Sequence, residues 1–189
     1  MEMLLGGLVL FLGVHSIAIV SPAWRDGMAA RMGEWPWKGA YAAASLVGFI
    51  LIVQGYAAAR LDPTVLYAPP GWLRHASLLL MVPVFPLLLA AYLPGRIKTA
   101  TRHPMLVATK LWALSHLFAN GTAADVALFG AFLVWAVADR ISLKSRASRS
   151  IPGAPPSRMN DAIAVVGGLL FYGVFVMGLH AALIGVAPI

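Results

Sequence analysis

Three of the five histidines fall inside apolar stretches of the chain, where a polar side chain is costly unless it is paired or used. They are His15, His116 and His180. A single histidine in a membrane helix often serves only to bridge helices through a hydrogen bond. Three in one short chain favour a metal site, because neutral imidazole is the commonest metal ligand in proteins.

The residue types that are missing narrow the choice of metal. The chain has no cysteine, which excludes thiolate ligands, zinc–cysteine sites and covalent haem attachment. Its only glutamates, Glu2 and Glu34, lie outside the middle of any apolar stretch, so a zinc or carboxylate-bridged di-iron site has little to build on. Histidine within a broad apolar surface suits a non-covalently bound haem b instead.

The stretch "KLWALSHLFANG" carries polar residues at helical spacing around His116. Residues three or four apart share one side of a helix. Those that share the side of His116 are Thr109, Trp112 and Asn120. We expect Trp112 and Asn120 to line the cofactor, although a packed aromatic with two small polar groups would give the same pattern.

Basic residues precede His116 at the start of the same segment. Arg102, His103 and Lys110 are candidate partners for haem propionates or for another anion. The alternative for Lys110 is that its ammonium group extends along its apolar stem to the membrane surface.

The elements that must position these residues are apolar segments, and a helix needs about 20 apolar residues to cross a bilayer. Six segments are candidates, of which the fourth is short: residues 3–20, 39–59, 76–93, 104–119, 123–138 and 161–186. Pro83 and Pro86 predict a kink in the third segment. Thr122 and Asp125 predict a helix cap at the start of the fifth. We therefore predict an all-α, polytopic membrane bundle of about six transmembrane helices in a single domain, residues 1–189.

Charge predicts the orientation of this bundle. The chain of 189 residues is 60% hydrophobic and 11% charged, with a net charge of +7. Eleven Lys and Arg residues fall in the first, third and fifth connections, and two fall in the second and fourth. This bias places the odd connections in the cytoplasm and both termini on the non-cytoplasmic side. The positive charge thus serves topology and does not indicate a nucleic-acid partner.

Two further segments bear on processing and organisation. Met1 and Glu2 give no basic n-region, so the first apolar segment is expected to be retained and not cleaved as a signal peptide. Residues 143–158, "LKSRASRSIPGAPPSR", read as a flexible basic loop on the cytoplasmic side.

Three stretches resemble a known family: "FLGVHSIAIV", "RHPMLVATKLWALSHLFANG" and "LFGAFLVWAVADR". They are similar to the NnrU family, bacterial inner-membrane proteins associated with denitrification and nitric oxide metabolism. That family is in turn similar to zeta-carotene isomerase, an integral membrane enzyme that carries a b-type haem. The resemblance implies haem ligation by His15, in its His-Ser pair, and by His116, in "WALSH". His180, predicted nearer the membrane depth of His116, is the reserve ligand.

The resemblance has one departure. A cysteine that is a proposed alternative ligand of the isomerase is Ala113 here, so a change of iron ligand to thiolate is excluded. This weakens the case for the isomerase mechanism and leaves haem binding unaffected.

Four functions remain open at this point. The first is a haem-binding protein that senses nitric oxide or supports nitric oxide reductase. The second is an isomerase-like enzyme acting on a lipophilic polyene. The third is a membrane methyltransferase, since "RHPM" resembles a methyltransferase motif, but the chain lacks the later glutamates of those enzymes. The fourth is a scaffold without a cofactor, in which the histidines only bridge helices.

Overall fold

The computed structural model describes residues 1–146 and 152–189, and the regular structure within these ranges is helical. Their α-helices are α1 (Glu2–Val20), α2 (Pro22–Met32), α3 (Glu34–Ala59), α4 (Trp72–Met81), α5 (Val84–Tyr92), α6 (Arg96–Thr101), α7 (Pro104–Ala119), α8 (Ala123–Ser142), α9 (Asn160–Val174) and α10 (His180–Ile184). A π-helical turn, Phe175–Leu179, joins α9 to α10. One isolated bridge pairs Val65 with Thr122.

Four helical stretches in the described residues are long and apolar enough to cross a membrane. They are Glu2–Val20, Glu34–Ala59, Trp72–Tyr92 and Asn160–Ile184. They correspond to the first, second, third and sixth predicted segments. The other two predicted segments are also helical, but α7 has only 16 residues and α8 carries Asp125, Asp139 and Arg140.

The predicted kink in the third segment is confirmed as a break between two helices. Helix α4 ends at Met81 and α5 begins at Val84. Pro83 lies in the break, because it has no N–H to donate and its ring clashes with the preceding turn.

Two short helices, α2 and α6, lie where the sequence predicted connections. Helix α2 begins directly after Ser21, with Pro22 at its first position, where a missing N–H costs nothing. Helix α6 is capped from another helix: the Asp161 carboxylate accepts the backbone N–H groups of Arg96 at 2.8 Å and Ile97 at 3.0 Å. Apolar periodicity does not predict a helix whose start depends on a carboxylate from another helix.

The helices form two compact units, which are Met1–Ala68 with Asn120–Ala147, and Pro69–Ala119 with Ser148–Ile189. In the first unit α1 packs along α3. A Cβ added at Gly48 would lie 2.8 Å from the backbone nitrogen of Phe11, and one at Gly55 would overlap the backbone of Leu4. These glycines therefore allow α1 and α3 to approach closely.

In the second unit α5 packs against both α7 and α9. Val84, Leu87 and Ala108 form a buried cluster between α5 and α7, and Trp112 packs at its edge. Gly168 of α9 lies against Pro86 of α5, so that a Cβ there would overlap the backbone.

The predicted loop, residues 143–158, includes residues 147–151, which lie outside the described part of the chain. On either side of them the chain makes specific contacts. Arg146 forms an ion pair with Asp139, and the Ala154 N–H donates to the Tyr92 carbonyl at 2.9 Å.

Candidate functional site

His116 lies on α7 in the second unit with its ring held from one side. Its Nδ1 lies 2.8 Å from the carbonyl oxygen of Trp112, one turn earlier, and 3.4 Å from Ser115 Oγ. A carbonyl can only accept a hydrogen bond, so Nδ1 carries a proton, and in the neutral ring Nε2 is the nitrogen with the lone pair. The Trp112 and His116 rings lie 5.3 Å apart, which confirms that these two predicted site residues share a face.

His15 lies on α1 in the first unit and has the same local arrangement. Its Nδ1 lies 2.6 Å from the carbonyl oxygen of Phe11, one turn earlier. Three aromatic rings surround the imidazole: Phe11 stacks at 4.3 Å, while Tyr41 at 5.2 Å and Trp135 at 6.0 Å present edges. The ring is thus fixed in orientation, and its Nε2 is the nitrogen that can act as a ligand.

His180, the reserve ligand, begins α10 directly after the π-helical turn. Its Nδ1 lies 2.6 Å from the Val186 carbonyl, and Phe175 packs edge-on at 5.4 Å. Arg74 binds the same terminal segment, with Nε donating to the Pro188 carbonyl at 2.8 Å. His180 and Arg74 together hold the last residues against the end of the second unit.

Arg102 and His103 form a strained turn before α7. Arg102 has φ 60° and ψ −42°, and it is the only non-glycine residue with positive φ in the described ranges. The His103 N–H donates to the Thr101 carbonyl at 2.7 Å, so Arg102 lies at the centre of a γ-turn of the rare positive-φ kind. Strain of this sort often occurs at functional sites. The His103 carbonyl then accepts the first N–H groups of α7.

The other two predicted anion or cofactor residues differ in position. Lys110 lies in the middle of α7 and is half-buried. Asn120 belongs to the first unit, where its carbonyl accepts the Tyr67 hydroxyl at 2.8 Å. Burial raises the pKa of the Tyr67 phenol, and the nearby Asp125 carboxylate adds to this increase. The hydrogen bond from Tyr67 ties the Asn120 backbone to the segment that follows α3, and the predicted role of the Asn120 side chain stays a prediction.

Asp125 is a helix cap, as predicted, and it has a further partner. Thr122 and Asp125 form a reciprocal capping box at the start of α8. Asp125 is buried, and its Oδ1 also accepts the Tyr56 hydroxyl of α3 at 2.5 Å. The sequence gives the spacing of the cap but no signal for the tyrosine, which is 69 residues away.

Sequence reasoning missed a group of polar residues near His15. Within the described ranges, three buried polar atoms have no hydrogen-bond partner: Ser45 Oγ, Trp135 Nε1 and Arg146 Nε. All three lie in the first unit. Their sequence signal is the spacing of Tyr41 and Ser45 on α3 and of Trp135 and Asp139 on α8, each pair being one helical turn apart.

The comparison with protein families gives a match over nearly the whole chain. The family model described as NnrU protein matches residues 3–188. The chain belongs to the NnrU family. It is accordingly a membrane protein of a bacterial, denitrification-associated family. Comparisons with curated proteins and with solved structures give no match.

We searched the described residues for groups of side chains that could hold a metal ion. Within residues 1–146 and 152–189, no three His, Cys, Asp or Glu side chains group together in a way that would hold a metal ion. Of the predicted ligands, His15 lies in the first unit, and His116 and His180 lie in the second.

Proposed function

We propose that this NnrU protein binds haem b non-covalently in the bacterial inner membrane and serves nitric oxide metabolism during denitrification. One observation carries the proposal. His15 and His116 each direct Nδ1–H at the carbonyl one turn earlier, which leaves Nε2 as the ligand nitrogen. Metal-binding histidines are usually held in this way, because the second hydrogen bond fixes both the tautomer and the ring.

Different residues would bind the iron, the porphyrin and the propionates of the haem. His116 and His15 would ligate the iron, with His180 in reserve, and Trp112 would pack against the porphyrin beside His116. Arg102, His103 and Lys110 remain our candidates for the propionates on the second unit. When bound, the haem would supply an iron centre that can bind nitric oxide.

Family membership gives the link to denitrification, and the ligand chemistry gives it a physical reason. Nitric oxide binds ferrous haem strongly. The protein would act by sensing nitric oxide or by supporting nitric oxide reductase. The resemblance to the isomerase also predicts a lipophilic substrate for this protein, and that stays a prediction.

The proposed topology has six crossings, with α7 and α8 as the fourth and fifth. The capping box gives α8 a defined start, next to the end of α7. From the excess of Lys and Arg in the odd connections we infer that both termini lie on the non-cytoplasmic side.

An absorption spectrum of the purified full chain, expressed with ample haem supply, tests the proposal. We expect a Soret band and sharp reduced α and β bands, as for low-spin bis-histidine haem. His116→Ala and His15→Ala should each change the spectrum to that of a species with one ligand lost. His75→Ala is the matched control, because His75 is an exposed histidine of the second unit.

Two results would contradict the proposal. One is a colourless, folded protein that takes up no added haem. The other is a spectrum that stays unchanged in His116→Ala, in His15→Ala and in the double variant. If only His180→Ala alters the spectrum, the ligand assignment is wrong, although haem binding stands.

A further inference from the structure

The first unit buries hydrogen-bond donors that have nothing to donate to. Within the described residues, Trp135 Nε1, Arg146 Nε and Ser45 Oγ are buried without a hydrogen-bond partner. Burying such a group without a partner costs free energy, and native structures contain few of them. These three atoms are therefore candidates for contact with a ligand from outside the chain.

Contacts with α1 place these donors around His15. The Trp135 ring meets the His15 ring edge-on at 6.0 Å. On α3, Tyr41 meets His15, while Gly48 lies against Phe11. Ser45 lies between Tyr41 and Gly48 at helical spacing, so it is on the same face of α3 as both.

Arg146 reaches the same face of α1 from the end of α8. Its Nη1 donates to the Ala18 carbonyl at 3.3 Å, and its Nη2 pairs with Asp139. Ala18 is three residues after His15, a rise of about 4.5 Å along the helix. Asp139 is one turn after Trp135 on α8. The guanidinium group therefore lies about one helical turn from the imidazole.

The chemistry of these groups defines the missing partner. Indole Nε1–H and guanidinium Nε–H can only donate, and a serine hydroxyl can donate as well. A ligand that satisfies all three must offer several acceptor oxygens. The surrounding charge favours an anion, because residues 21–38 and 139–146 contain six Lys or Arg residues and three Asp or Glu residues.

We propose that Ser45, Trp135 and Arg146 form an oxyanion site, which binds a carboxylate or a phosphate beside His15. The site does not depend on the proposed function. A haem propionate would supply the carboxylate if haem binds here, and an anionic phospholipid would supply the phosphate if it does not. In either case these three donors would hold the anionic group in the first unit. The basic residues before α7 lie in the second unit and are not part of this site.

Trp135→Phe is the first variant, because it keeps an aromatic ring beside His15 and removes the N–H together with part of the indole ring. The smaller ring is expected to lower the thermal midpoint of the ligand-free protein through lost packing, so the test is made on ligand binding. The same change should weaken binding of the anionic ligand about tenfold, as expected for a lost hydrogen bond to a charged group.

The experiment has two arms on the full chain in detergent. In the first, haem b and its dimethyl ester are titrated and Kd is taken from the Soret band. In the second, phosphatidylglycerol and phosphatidylcholine are added and the shift in thermal midpoint is measured. Arg146→Lys is the second variant, because it keeps a cation beside Asp139 and removes Nε–H. Trp35→Phe, at an exposed tryptophan, is the matched control.

The outcomes distinguish a propionate from a lipid phosphate as the ligand. They also distinguish a failure of this site from a failure of the proposed function. If Trp135→Phe and Arg146→Lys weaken haem b about tenfold but leave the ester unchanged, the site takes a propionate. If they abolish stabilisation by phosphatidylglycerol alone, the site takes a lipid phosphate. A wild-type protein that binds no haem contradicts the proposed function, yet the lipid arm still tests the site. The inference is overturned if neither arm changes, or if the two variants weaken haem b and its ester equally and leave the lipid shift unchanged.

Discussion

The bond between Tyr56 and Asp125 gives a quantitative prediction about how α3 and α8 are held together. Asp125 is 4% exposed, and its Oδ1 accepts the Tyr56 hydroxyl at 2.5 Å. Neutral interhelical bonds in membranes contribute about 0.6 kcal/mol on average. The acceptor here is a buried carboxylate, for which about 1.5 to 3 kcal/mol is expected. We therefore expect Tyr56→Phe to lower the free energy of unfolding by at least about 1.5 kcal/mol.

Replacing the carboxylate should cost more, because it removes two functions. Asp125→Ala abolishes the capping box with Thr122, worth about 0.5 to 2 kcal/mol. It also leaves the Tyr56 hydroxyl half-buried without its acceptor, at a cost of about 1 to 3 kcal/mol. The total is about 1.5 to 5 kcal/mol, against about 1.5 to 3 kcal/mol for the lost bond in Tyr56→Phe.

The assay is equilibrium unfolding of the single and double variants in mixed micelles, followed by tryptophan fluorescence. Once Asp125 is gone, Tyr56→Phe should cost almost nothing more, so the double-mutant cycle should give a coupling of about 1.5 to 3 kcal/mol. Tyr92→Phe is the control, because Tyr92 is exposed. Effects that add within about 0.5 kcal/mol would refute the bond as a link between the helices.

Three further predictions concern the backbone and the helix ends. Arg102→Gly should raise the thermal midpoint, because glycine adopts φ 60° without strain, and it should weaken haem b binding if the Arg102 side chain holds a propionate. Gly55→Ala should destabilise the protein by about 1 to 3 kcal/mol, since the added Cβ would overlap the backbone of Leu4, whereas Gly13→Ala, which meets nothing within 4 Å, should be neutral or stabilising in the same unfolding assay. Asp161→Ala should increase hydrogen exchange of the two amides it caps on α6, and unchanged exchange there would count against the cap.

The parts of the fold that depend on local signals were predictable from the sequence. The apolar segments, the break at Pro83 and the cap at Asp125 each follow from neighbouring residues. The pairing of Trp112 with His116 follows from helical spacing. Helices α2 and α6 were missed because short polar helices lack a long apolar stretch, and α6 also needs a carboxylate that comes from α9.

The contacts that surround each histidine were beyond sequence reasoning. His15 was a candidate because of its type and resemblance, but its neighbours Tyr41 and Trp135 come from two other helices. The glycines of α1 show the same limit. Gly7 packs against the backbone of α3, while Gly6 and Gly13 meet nothing within 4 Å, and composition alone does not distinguish them.

The chain order of the two units has a consequence for biosynthesis. The first unit begins with α1 to α3 and is completed only by α8, after the four helices α4 to α7 of the other unit have left the ribosome. The contact of α1 with α3 at their glycines can form early. The Tyr56 hydroxyl, in contrast, has no acceptor until Asp125 has been synthesised. A nascent chain stalled before α8 thus exposes the Tyr56 hydroxyl to the translocon or to a membrane chaperone. Its incomplete first unit would also be accessible to quality-control proteases.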